Sequence, residues 1–210
     1  MDETFSSIDL VTQCLLDEER TSKFEKVITE TIKPEHVVLD SGTGSGILSL
    51  FAAAAGAKKV ISVEFDPYVA TLANQNFKNN GYEKIIKINL GDSRTINFEE
   101  GTYFDVVIME MLTTGMVDEY QIWAVNNLIK KGYVDGKTIF IPHRQETFIS
   151  ITETDFKNHG FEMKMVKHLW KFLPQTNFKE LSSSQPLHSY DFKKLNDMSF
   201  EKTISFEAEQ

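Results

Sequence analysis

The sequence predicts an α/β fold in which a doubly wound, mostly parallel sheet is preceded by helices and followed by a small β-rich region. Apolar, strand-sized runs alternate with helical periodicity between residues 33 and 142. A glycine-rich turn joins the first of these runs to the next helix, as in parallel sheets that bind nucleotides. From residue 143 onward, short runs of alternating polarity replace this pattern, which is typical of antiparallel strands.

The individual elements are predicted in chain order. Two helices occupy residues 8–32, divided by the charged cluster 17–20 and ended by Pro34. Parallel strands are predicted at 37–40, 59–64, 85–90, 104–109 and 137–141, with helices at 46–55, 67–80 and 117–130. In the C-terminal part, strands are predicted at 146–151 and 202–206, with a polar linker at 182–186 between them.

These elements divide the chain into three parts. Residues 1–32 form N-terminal helices, residues 33–142 form the α/β domain, and residues 143–210 form the β-rich C-terminal region. The N-terminus is acidic and lacks the basic and apolar segments of a secretory signal, and the longest apolar runs are strand-sized. The single Cys14 has no partner for an internal disulfide. We therefore expect a cytoplasmic protein without a membrane span.

The charge balance narrows the class of partner. The chain has 210 residues and a formal net charge of −9. Because nucleic-acid affinity depends on lysine and arginine neutralising phosphates, this charge disfavours a nucleic-acid partner. It permits a cationic acceptor, although many acidic proteins are acidic only for solubility.

The glycine-rich turn after the first strand predicts a Rossmann-like cofactor site. Gly42, Gly44 and Gly46 stand at alternate positions, which allows positive φ angles and close backbone approach to a ligand. The dinucleotide spacing G-x-G-x-x-G is not met, since the sixth residues counted from Gly42 and Gly44 are Ile47 and Ser49. A cofactor without a pyrophosphate, namely S-adenosylmethionine (SAM), fits this turn better.

Acidic residues follow successive predicted strands. Asp40 stands in the turn, Glu64 ends the second strand and Asp92 follows the third. Glu64 is placed to accept hydrogen bonds from the ribose hydroxyls, and Asp92, next to Ser93, from the adenine amine. Each acid alone could be an ordinary turn residue. Because parallel strands end at one edge of a sheet, we expect all three in one crevice.

A second pair of acids follows the fourth strand. Glu110 ends that strand and Glu119 comes nine residues later. Two carboxylates facing a cofactor indicate binding of a cationic acceptor. For Glu119 the alternative is a favourable charge at a helix N-terminus.

With these motifs the chain resembles the protein arginine methyltransferase family of class I SAM-dependent methyltransferases. The resemblance rests on the turn 39–48, the strand end 63–64, the acids Glu110 and Glu119 with Gly115 between them, and segments 15–24 and 138–142. It implies that Arg20 binds the SAM carboxylate, whereas an ordinary ion pair with Asp17 or Glu18 is the alternative. It also implies a head-to-tail homodimer.

The predicted sites follow from the motifs and the resemblance together. The catalytic residues are Glu110 and Glu119, and no metal ligand is predicted. The cofactor-binding residues are Arg20, Asp40, Gly42, Gly44, Gly46, Leu48, Glu64, Phe65, Asp92, Ser93 and Glu110.

The chain also departs from the family. Near its start it offers only Phe5 where the family carries tyrosines, and His168-Leu169-Trp170 comes too early to be the family's Thr-His-Trp loop. Residues 143–210 resemble only the first part of the family's β-barrel.

The predicted function is methyl transfer from SAM, with S-adenosylhomocysteine as product, to a protein arginine. The alternative acceptors are RNA or a small metabolite. A third hypothesis is a non-catalytic binding module on the same fold. The net charge disfavours RNA, and the sequence Met109-Glu110-Met111-Leu112 lacks the Asn-Pro-Pro-Tyr-like motif of enzymes that methylate amino groups of bases.

Overall fold

The computed structural model describes residues 8–112, 120–154, 157–163 and 178–207. Within these ranges the helices are α1 (Ile8–Leu16), α2 (Glu18–Thr31), α3 (Ile47–Ala54), α4 (Pro67–Asn79) and α5 (Gln121–Lys130). The first strands are β1 (Val37–Ser41), β2 (Lys59–Glu64), β3 (Ile86–Leu90), β4 (Val106–Met109) and β5 (Ile139–Ile141). They are followed by β6 (Arg144–Ile149), β7 (Thr152–Thr154), β8 (Lys157–Asn158), β9 (Phe161–Glu162), β10 (Phe178–Glu180) and β11 (Gln185–Asp191).

The first five strands form one parallel sheet in the order β3-β2-β1-β4-β5. In the centre, Leu39 of β1 lies opposite Ile61 of β2 on one side and Val107 of β4 on the other. The chain therefore builds the sheet outward from β1 in one direction and then returns to continue it from β4 in the other. Ligands of such sheets bind outside the carboxyl ends of the strands at this switch point. The predicted parallel α/β fold is confirmed.

Alternate residues of each central strand enter different cores. Val38, Val106 and Ile108 pack with Ile28 and Phe77 in one buried cluster. The intervening residues of the same strands, including Leu39, Val107 and Met109, pack with Phe104, Leu128 and Phe192 in the other. This alternation follows from the two-residue repeat of a strand, and burial on both faces explains why β1 and β4 are apolar almost throughout. Helices therefore cover both faces of the sheet.

The fifth strand is shorter than predicted because a turn occupies its first two predicted residues. Residues 137–141 were predicted to be extended, but the strand begins at Ile139. The Asp135 carboxylate accepts a hydrogen bond from the Lys137 amide at 2.7 Å, and the Thr138 hydroxyl donates to the Phe104 carbonyl at 2.9 Å. Residues 137 and 138 therefore belong to the turn that sets the register of β5.

The C-terminal part differs from its prediction in two places. Residues 202–206 are not a strand; instead, the Lys202 ammonium donates to the Pro186 carbonyl, and the neighbouring Phe200 ring stacks on His188. The predicted polar linker 182–186 overlaps β11, which begins at Gln185 and pairs with β6. A segment of alternating polarity forms a sheet only where it has a partner strand. The partner of β6 is β11, residues 185–191, and not residues 202–206.

The chain divides into two compact units. One consists of residues 1–145 and 190–199, and the other of residues 146–189 and 200–210. The second unit contains the two-stranded pairs β10-β7 and β8-β9. Tyr190 and Phe192 belong to the first unit, where both are buried in its core. The assignment of residues 1–32, 33–142 and 143–210 to cofactor cover, cofactor domain and substrate region stays a prediction.

Candidate functional site

The glycine-rich turn lies between β1 and α3, at the carboxyl end of the central strand. Gly42, Gly44 and Gly46 have φ angles of 79°, 55° and 85°, a region that side-chain-bearing residues rarely adopt. A Cβ atom at Gly42 would lie 2.8 Å from Met111 Cγ, and one at Gly46 would lie 2.5 Å from the Phe77 ring. The chain therefore needs glycine here for both conformation and space.

Asp40 lies beneath this turn in a buried polar cluster. Its side chain is 1% exposed and accepts a hydrogen bond of 2.5 Å from the Ser49 hydroxyl. Ser49 Oγ is also 2.6 Å from Ser62 Oγ, so the carboxylate stands at the end of a chain of two buried hydroxyls. Burial raises the pKa of Asp40 to about 6, although the Ser49 and Thr43 hydrogen bonds act in the opposite direction. The hydroxyls thus favour an ionised Asp40 inside an apolar layer.

Glu64, at the end of β2, connects the glycine-rich turn to the start of α4. Its Oε2 accepts from the Gly44 amide at 2.9 Å, and its Oε1 accepts from the Phe65 and Asp66 amides at 2.8 and 3.0 Å. A carboxylate has about four acceptor positions, so these three bonds leave room for one more donor. Glu64 can therefore accept one ribose hydroxyl without losing its backbone contacts.

Asp92 and Ser93 follow β3, as predicted, and each has a partner that the sequence did not reveal. Asp92 accepts three hydrogen bonds from the Arg94 side chain, with Nε at 2.9 Å from both carboxylate oxygens and an Nη at 2.6 Å from Oδ2. The Arg94 pairing lowers the pKa of the Asp92 carboxyl. Ser41 Oγ donates to Ser93 Oγ at 2.6 Å, which ties the end of β1 to this loop. An adenine amine would compete with Arg94 for Asp92.

Arg20 and Glu110 are brought together although 90 positions separate them. The guanidinium donates to a Glu110 oxygen and also to the Cys14 carbonyl, the latter at 3.1 Å. Burial raises the pKa of Glu110, while the pairing with Arg20 lowers it. Arg20 Nε is buried and has no hydrogen-bond partner among the described residues. A buried N–H without a partner is costly, which favours an acceptor group bound at this position.

The sequence analysis missed two residues near Glu110, the buried Gln121 and the partly buried Met111. Gln121, 0% exposed at the start of α5, accepts a hydrogen bond from the Met111 amide at 2.8 Å. Its Nε2 is buried without a partner in the described ranges. Met111 itself packs against Gly42, as the close approach of its side chain shows. A glutamine within a helical apolar pattern gives no sequence signal, because its partner is a backbone amide ten residues away.

The remaining predicted residues have different surroundings. Leu48 is 7% exposed and packs in the core with Ile28 and Phe77, so its side chain anchors α3 to the core. Phe65 is 48% exposed, directly after Glu64. Glu119 lies outside the described residues.

The arrangement fits SAM on grounds of donor and acceptor chemistry. The turn gives close backbone access, Glu64 keeps one acceptor position, and Arg20 offers an unpaired N–H for a carboxylate. Val11 of α1 would lie 3.6 Å from a Cβ at Gly44, so the N-terminal helix stands over the turn. Among the described residues there is no cluster of three or more His, Cys, Asp or Glu suited to a metal ion, and no helix is long and apolar enough to cross a membrane.

Sequence comparison finds methyltransferases. The family model described as ribosomal protein L11 methyltransferase (PrmA) matches residues 19–168. An uncharacterized protein of Methanocaldococcus jannaschii is 33% identical over 93% of this chain and 70% of its own length. Protein arginine N-methyltransferase 1 of Oryza sativa is 27% identical, and the ribosomal protein L11 methyltransferase of Staphylococcus saprophyticus is 33% identical. The matches cover 99% and 72% of this chain, but only 58% and 46% of those two proteins.

Solved structures share the fold. The Trypanosoma brucei PRMT1 enzyme–prozyme heterotetrameric complex with AdoHcy aligns with a TM-score of 0.72 and 22% identity, over 93% of this chain and 65% of that chain. Arabidopsis thaliana protein arginine methyltransferase 10 aligns with a TM-score of 0.69 and 19% identity, over 91% of this chain and 64% of that chain. At these identities the likeness concerns the fold.

Proposed function

We propose that this chain, which belongs to the PrmA family of ribosomal protein L11 methyltransferases, methylates a side-chain nitrogen of a protein. The proposed acceptor is an arginine guanidinium. The chain is a SAM-dependent methyltransferase with a Rossmann-like fold. The observation that supports an arginine acceptor is Glu110, a half-buried carboxylate at the end of β4 paired with a cation of its own chain. The match to the rice arginine methyltransferase over almost the whole chain supports the same acceptor.

The proposed cofactor contacts follow from the site. Arg20 binds the SAM carboxylate through its free N–H, Glu64 accepts a ribose hydroxyl, and Asp92 with Ser93 lies toward the adenine. When bound, SAM supplies an electrophilic methyl group on its sulfonium. The turn at Gly42 and Gly44 brings backbone amides close to this cofactor. Positioning of this kind supplies much of the rate in a transfer between two bound groups.

The proposed acceptor contacts depend on carboxylates. Glu110, with Glu119, accepts hydrogen bonds from the N–H groups of a guanidinium, whose pKa exceeds about 12, so that the group stays protonated in water. These bonds concentrate positive charge on the bound nitrogens and leave the third nitrogen more nucleophilic. After transfer the acceptor nitrogen loses one proton, for which a Glu110 oxygen is the proposed first acceptor. The cationic charge of the product is kept by the guanidinium.

A Glu110→Gln variant tests this assignment. We expect methyl transfer to fall by at least 100-fold, while SAM affinity measured by calorimetry stays within a few fold. The exposed Glu100→Gln is the matched control and should keep both properties. Loss of SAM binding in Glu110→Gln, or transfer that persists, would contradict the proposed role.

A second candidate acceptor is an amine of a ribosomal protein, supported by the family-model match over residues 19–168. Incubation of the protein with labelled SAM and cell lysate, followed by amino-acid analysis, separates the candidates. Label in methylarginine supports the first, and label in a methylated amine of a ribosomal protein supports the second. Label confined to RNA or small metabolites contradicts both. Bound SAM without any transfer indicates a non-catalytic module.

A homodimer and a cytoplasmic location belong to the same proposal. The fold neighbour from Trypanosoma brucei is described as a heterotetrameric complex, which supports assembly of related chains. Light scattering of the purified protein should give twice the chain mass of 24.0 kDa. A mass equal to one chain at micromolar concentration would contradict the dimer.

A further inference from the structure

A lysine-rich cleft lies at the edge of the sheet opposite the glycine-rich turn. Its volume is about 600 Å³. The polar residues that line it are Lys58, Lys59, Lys84, Lys87, Glu83 and Asn74. Four lysines therefore line one cleft with a single glutamate among its lining residues.

The fold assembles this cleft from residues 58–59, residues 83–88 and Asn74 of α4, and the first two segments carry all four lysines. Lys59 is the first residue of β2, and Lys84 lies just before β3. The Val60 amide donates to the Ile85 carbonyl at 3.0 Å, which holds the two segments side by side. Ile61 is opposite Lys87 in the register of the two strands. The lysines are thus placed by the same ladder that builds the sheet.

The charge of the cleft contrasts with that of the chain. The net charge is −9, yet none of the four lysines forms a salt bridge within the described ranges. Like charges held close together repel each other and raise the local potential. Lysine on an edge strand also discourages strand pairing, but that explanation applies only to Lys87 on β3, since β2 is an interior strand. The cluster at the start of β2 needs another reason.

We propose that this cleft binds a phosphate-bearing anion, independently of the SAM site. Lysine ammonium groups are point charges that suit phosphate oxygens, and the Asn74 amide adds a neutral donor. The volume lies within the range of small-ligand pockets. Lys59 begins β2 and Glu64 ends it, so the two sites lie at opposite ends of one strand. The phosphates come either from a free oligophosphate or from the backbone of a short RNA.

The test uses the full chain and tripolyphosphate as the probe. Calorimetry at 50 mM salt should show binding that weakens at 200 mM salt, because counterions compete. Lys58→Glu combined with Lys84→Glu should reduce the affinity by at least tenfold and leave SAM affinity unchanged. The matched control, Lys193→Glu combined with Lys194→Glu, changes the same charge on an exposed turn and should bind tripolyphosphate like the unmodified protein.

The outcomes distinguish RNA from a free oligophosphate as the source of the phosphates, and they test carboxylate ligands as the competing class. Competition between a 12-nucleotide single-stranded RNA and tripolyphosphate assigns the phosphates to RNA, whereas tripolyphosphate binding without RNA binding assigns them to a free oligophosphate. Either result supports the proposal. Absence of tripolyphosphate binding, equal loss in the control variant, or tighter binding of a polyglutamate peptide than of tripolyphosphate would overturn it. Retained SAM affinity shows that a charge-reversal variant is folded.

Discussion

Asp40 is the least exposed ionisable residue in the part of the chain that the structure describes. Its carboxylate has no exposed surface to speak of and depends on the Ser49 hydroxyl for solvation. The sequence position of Asp40 did not indicate this burial, because the partners Ser49 and Ser62 come from α3 and β2 and have the pattern of ordinary small polar residues. The sequence could place Asp40 at the strand end but could not show that it is the end of a hydroxyl chain.

The raised pKa of Asp40 predicts a specific pH dependence of stability. Its pKa is about 6 in the folded protein against 3.8 as the ordinary value, so between these values the folded state binds more protons than the unfolded state. The free energy of unfolding should therefore rise as pH falls from 7 to 4.5, by about 2 kcal/mol from this group. Urea denaturation of Asp40→Asn should lack this component, while the exposed Asp9→Asn should keep it. Identical pH profiles for Asp40→Asn and the unmodified protein would contradict the interpretation.

Arg20 carries the prediction for cofactor affinity. Replacement by lysine keeps a charge near Glu110 but removes the planar group and the buried Nε. We expect the SAM dissociation constant to rise by roughly tenfold or more, since charge-assisted and bidentate bonds to a carboxylate are lost. Calorimetry with SAM measures it, and Arg144→Lys, at the exposed start of β6, is the matched control. Unchanged affinity in Arg20→Lys would remove Arg20 from the cofactor site.

At the scale of elements, the turn between β1 and α3 depends on close packing as well as on φ. A side chain at Gly46 would meet the Phe77 ring of α4, so the turn packs against a residue 31 positions later in the chain. The sequence predicted glycine here for backbone freedom and for close approach to a ligand. It could not predict the steric requirement, because the contact depends on how α4 packs on the sheet.

Gly46→Ala tests that steric requirement. A positive φ costs a non-glycine residue about 1–2 kcal/mol, and overpacking against the buried Phe77 ring adds about 1–3 kcal/mol. Gly56→Ala is the matched control, since Gly56 has a φ of 94° but no atom within 4 Å of a Cβ. Urea unfolding should therefore show a clearly larger loss for Gly46→Ala than for Gly56→Ala. Equal losses would show that φ alone explains the glycine.

The elements themselves were predicted to different degrees. Strands β1 and β2 were placed within one residue, because buried apolar runs end abruptly at polar turns. The predicted fifth strand was too long, because residues 137 and 138 belong to the turn that begins at Asp135. Residues 202–206 were wrongly predicted to be a strand, because alternation records only the side-chain pattern and a strand also needs a hydrogen-bonded partner.

At the scale of the whole molecule, a late segment of the chain completes an early core. Residues 190–199 return to the unit built by residues 1–145, and Phe192 is fully buried there beside Phe104 and Leu128. Sequence order predicted a single C-terminal region from residue 143. Composition could not show this return, since aromatic residues are common on both sides of it and only tertiary contacts assign them.

Phe192→Ala tests the role of this returning segment. Removing a fully buried phenylalanine should lower the free energy of unfolding by about 3–5 kcal/mol, through lost burial and a cavity. Phe200→Ala is the control: Phe200 is 42% exposed and stacks on His188, so its loss should cost less than about 1.5 kcal/mol. Denaturant titrations of both variants measure the difference. Similar losses would show that residues 190–199 add little to the core.

The pairing of Arg20 with Glu110 has a consequence for the order of events in catalysis. Under the proposed roles, Arg20, which binds the cofactor carboxylate, is paired in this structure with Glu110, which binds the acceptor. An acceptor that arrives first meets a Glu110 already paired with Arg20, whereas a cofactor carboxylate bound first at Arg20 Nε competes with Glu110 for the same guanidinium and weakens that pairing. Steady-state kinetics should then follow ordered addition, with the acceptor binding only to protein that already holds SAM and S-adenosylhomocysteine leaving last.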